Sequence, residues 1–333
     1  MSDRIDRYVG CLLGQCLGDT LGFPVEGAPP GTCAAYVREV LSTDRLGHVG
    51  KGVFGFGQYT DDSQLARELL ASLVHREAWD PDDYARRIAC IFEEDRIVGR
   101  GKSTLRAAGR LRRGAHWRES GEPAPNAGNG TAMRAAPVGL LFRDRAARLA
   151  VAHEQGFMTH KDPRCSAGSI AIAESVACAL EDDVDALVER VASAMQDHAP
   201  DFAADVRRLH DWVALPPDEA AVLIRKAGQA AGFPDNWYGI SPFVVPSVLF
   251  SLYAFLRSPD DYWGAVTTAI AAGGDADTTA AMTGAIAGAA LGRAALPDAL
   301  IAKLNDRDTW READLTELAT RAAQLAPLSR DAG

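Results

Sequence analysis

The stretch TTAAMTGAIAGAAL, residues 278–291, predicts the helix around which this protein is built. It is rich in alanine, the strongest helix former, yet glycines spaced by four interrupt it, at the considerable cost of about 1 kcal/mol per helical position. A second glycine stripe with the same spacing lies near the other end of the chain. The two stripes are Gly284, Gly288 and Gly292, and Gly10, Gly14 and Gly18. We therefore predict two helices packed backbone to backbone.

Helical patterns dominate the rest of the chain as well. Apolar residues recur at the three- and four-residue spacing of a helix face. The segments are 5–17, 60–73, 84–92, 105–111, 133–142, 166–180, 184–195, 202–213 and 245–256. The more charged 184–195 and 202–213 are expected outside, and the nearly apolar 245–256 at the centre. Alternating strands, long linkers and internal repeats are not evident, so we predict a single all-α domain over residues 1–333.

Composition and charge exclude several classes of protein. The 333 residues are 47% hydrophobic and 24% charged, which is ordinary for a globular protein. The net charge of -10 disfavours binding to nucleic acid and to anionic membranes. No apolar run reaches the roughly 18 residues of a membrane span. The six cysteines form no C-x-x-C pair and the charged start lacks a signal-peptide core, so we expect a cytoplasmic protein.

Two acidic segments are the strongest candidates for chemistry. Thr60-Asp61-Asp62 and Asp275-Ala276-Asp277-Thr278 each lie at the start of a predicted helix. Taken singly, each segment also fits a purely structural role, because threonine and aspartate are favoured in helix caps and first turns. Taken together, they would crowd four carboxylates at one point if the two helix starts met.

Such crowding predicts a metal site. The repulsion between the carboxylates must be neutralised, and cations can do this. All candidate donors are oxygens, a set that suits Mg, Mn or Ca rather than Zn or Cu. The six groups could be shared between two divalent cations, which would clamp a substrate diol and activate a water.

Three loops supply further candidates, each with a structural alternative. GDTLGFPVE, residues 18–26, carries Asp19, which fits a ligand or a helix-end hydrogen-bonding group, and Glu26, which fits a mobile catalytic carboxylate or an exposed loop residue. NAGNGTAMR, residues 126–134, enters a helix through a glycine loop that suits a diphosphate or merely forms a turn and cap. THKDP, residues 159–163, places His160 before a buried helix, where it could face a ligand or be structural.

Two other motifs are set aside. GKGVFG, residues 50–55, matches G-x-G-x-x-G, but no strand precedes it and no helix opens from it, so we reject dinucleotide binding there. Lys51 within it also lacks the context of a Walker A lysine. The basic run at residues 110–113 is interpreted as a solvated helix face.

The order of five motifs resembles the ADP-ribosylglycohydrolase family. That family includes the dinitrogenase-reductase-activating glycohydrolase and the ADP-ribosylarginine and ADP-ribosylserine hydrolases. The resemblance extends from about residue 10 to residue 292. The motifs, in order, are GDTLGFPVE, YTDDS, GNGTAMR, THKDP and GGDADTT.

The resemblance implies a compact orthogonal all-α bundle with a binuclear Mg²⁺ or Mn²⁺ cleft. It implies metal ligands at Thr60, Asp61, Asp62, Asp275, Asp277 and Thr278. It implies catalytic roles for Glu26, beside the scissile bond, and for Asp61 and Asp277. It implies contacts to ADP-ribose from Asn126, Gly128, Asn129, Gly130, His160 and the loop Tyr238, Gly239 and Ile240. Two positions depart from the common pattern: Ser63 replaces a threonine, and Ala127 replaces an aromatic residue of some members.

The function implied is hydrolysis of the N- or O-glycosidic bond between ADP-ribose and an acceptor, as on an ADP-ribosylated protein. Two alternatives stay open: a binuclear-metal hydrolase of a free ADP-ribose derivative, and a non-catalytic relative that binds ADP-ribose. Arginine, serine and other acceptors all remain possible, as do Mg²⁺ and Mn²⁺. We expect a monomer.

Overall fold

Eighteen α-helices, joined by a few short 3₁₀ or π-helical turns, make up the regular structure in the part of the chain that the computed structural model describes, residues 3–43, 46, 49–229 and 236–329. They are α1 (Asp3–Gly22), α2 (Pro30–Tyr36), α3 (Asp61–Arg76), α4 (Pro81–Glu93), α5 (Lys102–Arg112), α6 (Trp117–Ser120), α7 (Ala136–Leu141), α8 (Arg145–Phe157), α9 (Pro163–Leu180), α10 (Leu187–Met195), α11 (Pro200–Arg207), α12 (Leu209–Trp212), α13 (Pro217–Lys226), α14 (Val244–Arg257), α15 (Tyr262–Ala271), α16 (Ala276–Leu291), α17 (Asp298–Ile301) and α18 (Glu312–Gln324). Isolated bridges are the only extended pairings in these ranges. The predicted all-α fold is confirmed.

The two glycine stripes pack α1 against α16, as predicted. A Cβ atom on Gly14 would lie 2.4 Å from the carbonyl oxygen of Gly284, and one on Gly284 would lie 2.3 Å from that of Gly14. Such distances leave no room for a side chain on either helix. Gly10 faces Gly288 in the same manner, with 2.4 Å from the added Cβ to the carbonyl oxygen. The helices therefore touch backbone to backbone.

The pairing also sets the direction of the two helices. Gly22, at the end of α1, faces Ala276 at the start of α16, whereas Gly10 faces Gly288 near the far end. The helices are thus antiparallel, and the C-terminal end of α1 lies at the N-terminal end of α16. The residues that follow α1 are placed directly beside the acidic start of α16.

Two further helices are enclosed on all sides. Residues 165–179 of α9 and residues 244–255 of α14 are all buried. The central position predicted for the apolar segment 245–256 is confirmed. Both helices belong to one continuous hydrophobic core that also includes α1, α3 and α16.

Three predicted helices differ from those observed. The segment predicted over 184–195 begins with a 3₁₀ turn, and its α-helix starts only at Leu187. The helix expected over 133–142 begins only at Ala136, and Pro137 occupies its first turn, where its missing N–H has no cost. The helix expected over 202–213 is divided into α11 and α12. Between them the N–H of Arg208 donates to the carbonyl of Asp205, a three-residue bond that tightens the turn. Within the described ranges, no helix is both long and apolar enough to cross a membrane.

Candidate active site

Asp19, in the last turn of α1, joins that helix to the start of α3. Its carboxylate is fully buried and accepts hydrogen bonds from the backbone N–H groups of Thr60, at 3.0 Å, and Ser63, at 3.1 Å. The first N–H groups of a helix have no partner within that helix. Of the two roles predicted for Asp19, the structure therefore shows the hydrogen-bonding one. Its partners belong to the start of α3, 41 residues further along the chain, and not to its own helix.

Five of the acidic side chains form one continuous cluster, and among the described residues the predicted ligand Asp61 belongs to neither of its two close groups. Carboxylate oxygens of Asp19, Asp62 and Asp277 lie within 4.8 Å of one another, and those of Glu26, Asp275 and Asp277 are equally close. Asp277 belongs to both groups and therefore connects them. The starts of α3 and α16, which the sequence analysis treated as two halves of a metal site, face each other across this cluster.

Asp62 shows an unmet requirement for a ligand. Its Oδ2 accepts hydrogen bonds from the hydroxyls of Thr60, at 3.0 Å, and Thr278, at 3.3 Å. Its Oδ1 is buried and has no hydrogen-bond partner among the described residues. A buried acceptor without a partner costs about 1–3 kcal/mol, and more if it is charged. A cation at the cluster would remove this cost.

The electrostatics of the cluster agree with that requirement. Burial raises the pKa of Asp19 and Asp275 to about 7, and raises the pKa of Asp61, Asp62 and Asp277 well above the usual value. Repulsion from neighbouring carboxylates adds to burial for the last three. Positive charge would offset both effects. The all-oxygen donor set therefore fits hard divalent cations such as Mg²⁺ or Mn²⁺.

Two of the predicted ligands are held by groups outside the acidic segments. The side-chain amide of Asn129 donates to Asp275 Oδ2 at 2.5 Å and to the hydroxyl of Ser247 at 2.9 Å. Asp61 Oδ2 accepts from the N–H of Gly101 at 3.4 Å. Asn129, expected to contact substrate, therefore directs its side chain to a predicted metal ligand. Such outer contacts orient ligands and tune metal affinity.

The glycine loop of residues 128–130 rests on the ring of His160. A Cβ on Gly128 would lie 3.3 Å from His160 Nε2, and one on Gly130 would lie 3.0 Å from Cε1. His160 as a whole is 3% exposed, and its Nδ1 pairs with the hydroxyl of Thr159 at 2.9 Å. Burial, with the nearby Arg134 charge, lowers the pKa of His160 to about 3, so the ring is neutral. His160 supports the loop from within, while Asn126 lies exposed at its outer end.

The loop of residues 238–240 lies against the start of α16. The N–H of Ile240 donates to the carbonyl of Gly273 at 3.0 Å, and the N–H of Asp275 donates to the carbonyl of Ile240 at 2.7 Å. Gly239 has φ +71°, and a Cβ there would lie 2.3 Å from Gly273. Tyr238, whose carbonyl oxygen lies beside Gly274 at the rim of the cluster, is 66% exposed.

Glu26 is the least buried acid of the cluster and is paired with a cation. Its Oε2 lies 2.6 Å from the ammonium of Lys51, and the two side chains are 33% and 34% exposed. The following residue, Gly27, donates its N–H to the carbonyl of Gly274 at 2.7 Å. The Glu26 loop is thus anchored to the glycine turn before α16.

The sequence as a whole matches one known family. The model of the ADP-ribosylglycohydrolase family covers residues 1–332. The chain belongs to the ADP-ribosylglycohydrolase family.

Relatives in this family match over nearly their full length. A protein of Archaeoglobus fulgidus is 28% identical over 327 residues, which cover 96% of this chain and 97% of that protein. ADP-ribosylhydrolase ARH3 of Homo sapiens is 28% identical over 88% of each chain. A solved structure titled ADP-ribosylglycohydrolase-related protein complex superposes with a TM-score of 0.72 at 27% identity, covering 98% of this chain and 99% of the other. The resemblance predicted from the five motifs is confirmed.

Sequence reasoning missed two contacts at this site and left a third undecided. It set Lys51 aside as part of a false nucleotide motif, although Lys51 pairs with Glu26. It left Asp19 undecided. It did not single out Arg134, a fully buried arginine that donates to the carbonyl of Gly130 at 2.8 Å and so holds the glycine loop. The available signal for Lys51 was a lone lysine in a glycine-rich turn between two acidic motifs.

Proposed function

We propose that the protein is a metal-dependent hydrolase that cleaves the N- or O-glycosidic bond between ADP-ribose and an acceptor side chain on a protein. The observation that carries this proposal is the cluster of buried carboxylates at the facing starts of α3 and α16, in which one oxygen of Asp62 has no partner among the described residues. Family membership supplies the substrate class, because the family model and the ARH3 relatives are both named for ADP-ribose hydrolysis.

The metal site would consist of oxygen donors from two short segments. The proposed ligands are Thr60, Asp61, Asp62, Asp275, Asp277 and Thr278. Two divalent cations, Mg²⁺ or Mn²⁺, would supply the positive charge that holds the distal ribose hydroxyls and makes a water more acidic. Asp19, buried beside Asp62 and Asp277, would hold the start of α3 in position beside the ligands at the start of α16.

The substrate would extend from this cluster along two loops. We assign the diphosphate to the backbone N–H groups of Gly128 and Gly130, because the N–H of Asn129 already donates to the carbonyl of Pro242 at 3.0 Å. Asn126 precedes this loop, Asn129 lies within it, and the ring of His160 supports the loop from within. We assign the adenosine to the loop of residues 238–240, whose Tyr238 is exposed at the rim. Because the protein would hold both ends of ADP-ribose, the anomeric carbon between the distal ribose and the acceptor would be oriented for attack.

The chemistry assigned to the chain itself centres on Glu26. The bond from the anomeric carbon to the acceptor breaks, and its electron pair leaves with the acceptor, so the ribose becomes oxocarbenium-like. The oxygen of a water then bonds to that carbon, one water proton is released and the acceptor gains one. The Glu26 carboxylate, a third exposed beside the cluster, would orient that water or handle the proton of the leaving acceptor.

We also propose that residues 1–333 act as one domain, as a monomer in the cytoplasm, on ADP-ribosylated proteins rather than on nucleic acid or membranes. The net charge of -10 supports the exclusion of polyanions. All six cysteines are free thiols, five of them buried, which suits a reducing compartment.

The proposal is tested by release of ADP-ribose from proteins with defined linkages, with EDTA and after addition of Mg²⁺ or Mn²⁺. We expect release that needs the metal. Asp61→Asn and Asp277→Asn should abolish turnover and lose metal, whereas Glu26→Gln should lower turnover by about 10²–10⁴-fold and keep metal. Asp308→Asn, whose side chain is 92% exposed, is the matched control.

Three results would contradict the proposal in different ways. Wild-type activity and metal content in Asp277→Asn would refute the metal site. Activity on small ADP-ribose esters alone would favour a hydrolase of free derivatives. Stabilisation of the fold by ADP-ribose, with no linkage cleaved, would favour a binding protein.

A further inference from the structure

Lys51 lies at the mouth of the acidic cluster. Its ammonium nitrogen is 2.6 Å from Glu26 Oε2 and 4.9 Å from the centre of the Phe23 ring. The side chains of Lys51 and Glu26 are about a third exposed, whereas none of the aspartates in the cluster is more than 6% exposed. The two residues therefore form the outermost charged pair of the described cluster.

A tight turn holds Lys51 in this position. The N–H of Lys51 donates to the carbonyl of Phe54 at 3.0 Å, and the N–H of Phe54 donates back at 3.1 Å. Gly52 takes the left-handed φ of +62° that the turn requires. The Phe54 ring lies 6.2 Å from that of Phe23, on which the ammonium rests. The turn thus fixes the backbone of Lys51, and the face of the Phe23 ring holds its ammonium in place.

The charge of Lys51 acts on the interior of the cluster as well as on Glu26. Burial raises the pKa of Asp275 and Asp277, and the positive charge of Lys51 opposes that effect at both residues. Its influence therefore reaches from the mouth of the site to the start of α16.

We propose that Lys51 determines acceptor specificity by selecting hydroxyl and carboxyl acceptors over guanidinium acceptors. This inference rests on the proposed function, in which the ADP-ribose part occupies the buried cluster and the acceptor stays at its mouth. A free Glu26 carboxylate would attract a guanidinium through paired, charge-assisted hydrogen bonds. Lys51 already occupies that carboxylate and repels a second cation. A serine or glutamate acceptor carries no positive charge and meets no such barrier.

The test compares three peptides that differ only in the ADP-ribosylated residue, which is serine, glutamate or arginine. For each linkage, kcat/KM is measured with the metal-loaded wild type and with four variants. Lys51→Gln and Lys51→Met remove the charge, and the methionine keeps the apolar contact with Phe23. Lys51→Arg keeps the charge. Lys226→Gln removes the same charge from the last turn of α13 and is the matched control.

We expect the wild type, Lys51→Arg and Lys226→Gln to prefer serine or glutamate linkages over arginine. Both neutral Lys51 variants should raise the ratio of arginine to serine kcat/KM by about tenfold, the effect of one partly screened charge near the acceptor. The affinity for ADP-ribose alone, measured by calorimetry, should stay within about twofold, because that ligand lacks the acceptor. A merely structural role of Lys51 would lower all three linkages together and leave the ratio unchanged.

Two outcomes would overturn the inference and are distinguishable from each other. An unchanged ratio in both neutral variants, or a wild type that prefers the arginine linkage, refutes the specificity role and leaves the proposed function intact. A wild type that releases ADP-ribose from none of the peptides overturns the proposed function and this inference with it.

Discussion

Substitution of Gly14 by alanine should separate the two central helices. The new Cβ would lie 2.4 Å from the carbonyl oxygen of Gly284 on α16 and 3.2 Å from the Tyr262 ring. The hydroxyl of Tyr262 also donates to the carbonyl of Gly14 at 2.7 Å, so α1 is closed on this side as well. The methyl group can be accommodated only by movement of whole helices.

The size of the effect follows from these distances. An ordinary contact between carbon and a carbonyl oxygen is about 3.3–3.6 Å, so α1 and α16 must move apart by roughly 1 Å. Overpacking of this kind costs about 1–3 kcal/mol. The higher helix propensity of alanine returns up to about 1 kcal/mol. We therefore expect Gly14→Ala to lower the free energy of unfolding by up to about 2 kcal/mol.

Urea unfolding of the metal-free protein measures this change. Gly109→Ala, within α5, is the matched control, because its Cβ would meet only the Arg113 side chain, at 3.5 Å. There alanine should stabilise the protein by about 0.5–1 kcal/mol. Divalent-cation affinity should also fall in Gly14→Ala, since the same displacement moves Asp19 away from Asp277.

Equal stability of Gly14→Ala and Gly109→Ala would refute the backbone contact between the helices. So would a stabilised Gly284→Ala, because a Cβ there would lie 2.3 Å from the carbonyl oxygen of Gly14.

Two further predictions concern single hydrogen-bonded carboxylates. Asn129→Ala should weaken divalent-cation binding by about tenfold, because Asp275 loses the amide at 2.5 Å that orients it; a calorimetric titration matching that of Asn126→Ala would contradict this. Burial raises the pKa of Asp83, but hydrogen bonds from neighbouring arginine and serine side chains outweigh it and leave that pKa below its usual value. The ionised Asp83 therefore stabilises the folded protein at pH values above the ordinary aspartate pKa. This stabilisation is lost as the pH falls through the lowered pKa of Asp83 in the folded state. At pH 7, Asp83→Asn should cost about 1 kcal/mol more in urea unfolding than Asp82→Asn, and the gap should close below about pH 4; a gap independent of pH would be inconsistent with this origin.

Much of the fold was predictable because its signals are local or repetitive. Apolar residues at every third or fourth position predict a helix face, and glycines spaced by four indicate where another backbone approaches. The pairing of α1 with α16 follows from such a pattern. The helices α8, α13, α15 and α18 were not among those predicted, although α8, α13 and α18 bury residues at helical spacing.

The candidate site was predictable only in its composition. Acidic and hydroxyl groups at two helix starts indicated oxygen ligands, and five ordered motifs indicated the family. That the two helix starts meet could only be assumed from the sequence, because Asp62 and Thr278 are separated by 216 residues. In the structure the hydroxyl of Thr278 lies 3.3 Å from Asp62 Oδ2. No local preference encodes such a distance.

The sequence alone therefore determined the helical class, the central glycine contact, the oxygen character of the site and the family. Only the tertiary structure decided that Asp19 caps α3, that Asn129 holds Asp275, that His160 supports the glycine loop and that Lys51 pairs with Glu26. The physical reason is one of range. Helix formation depends on neighbours within about four residues, whereas each of these contacts depends on how packed helices and the loops between them place distant side chains.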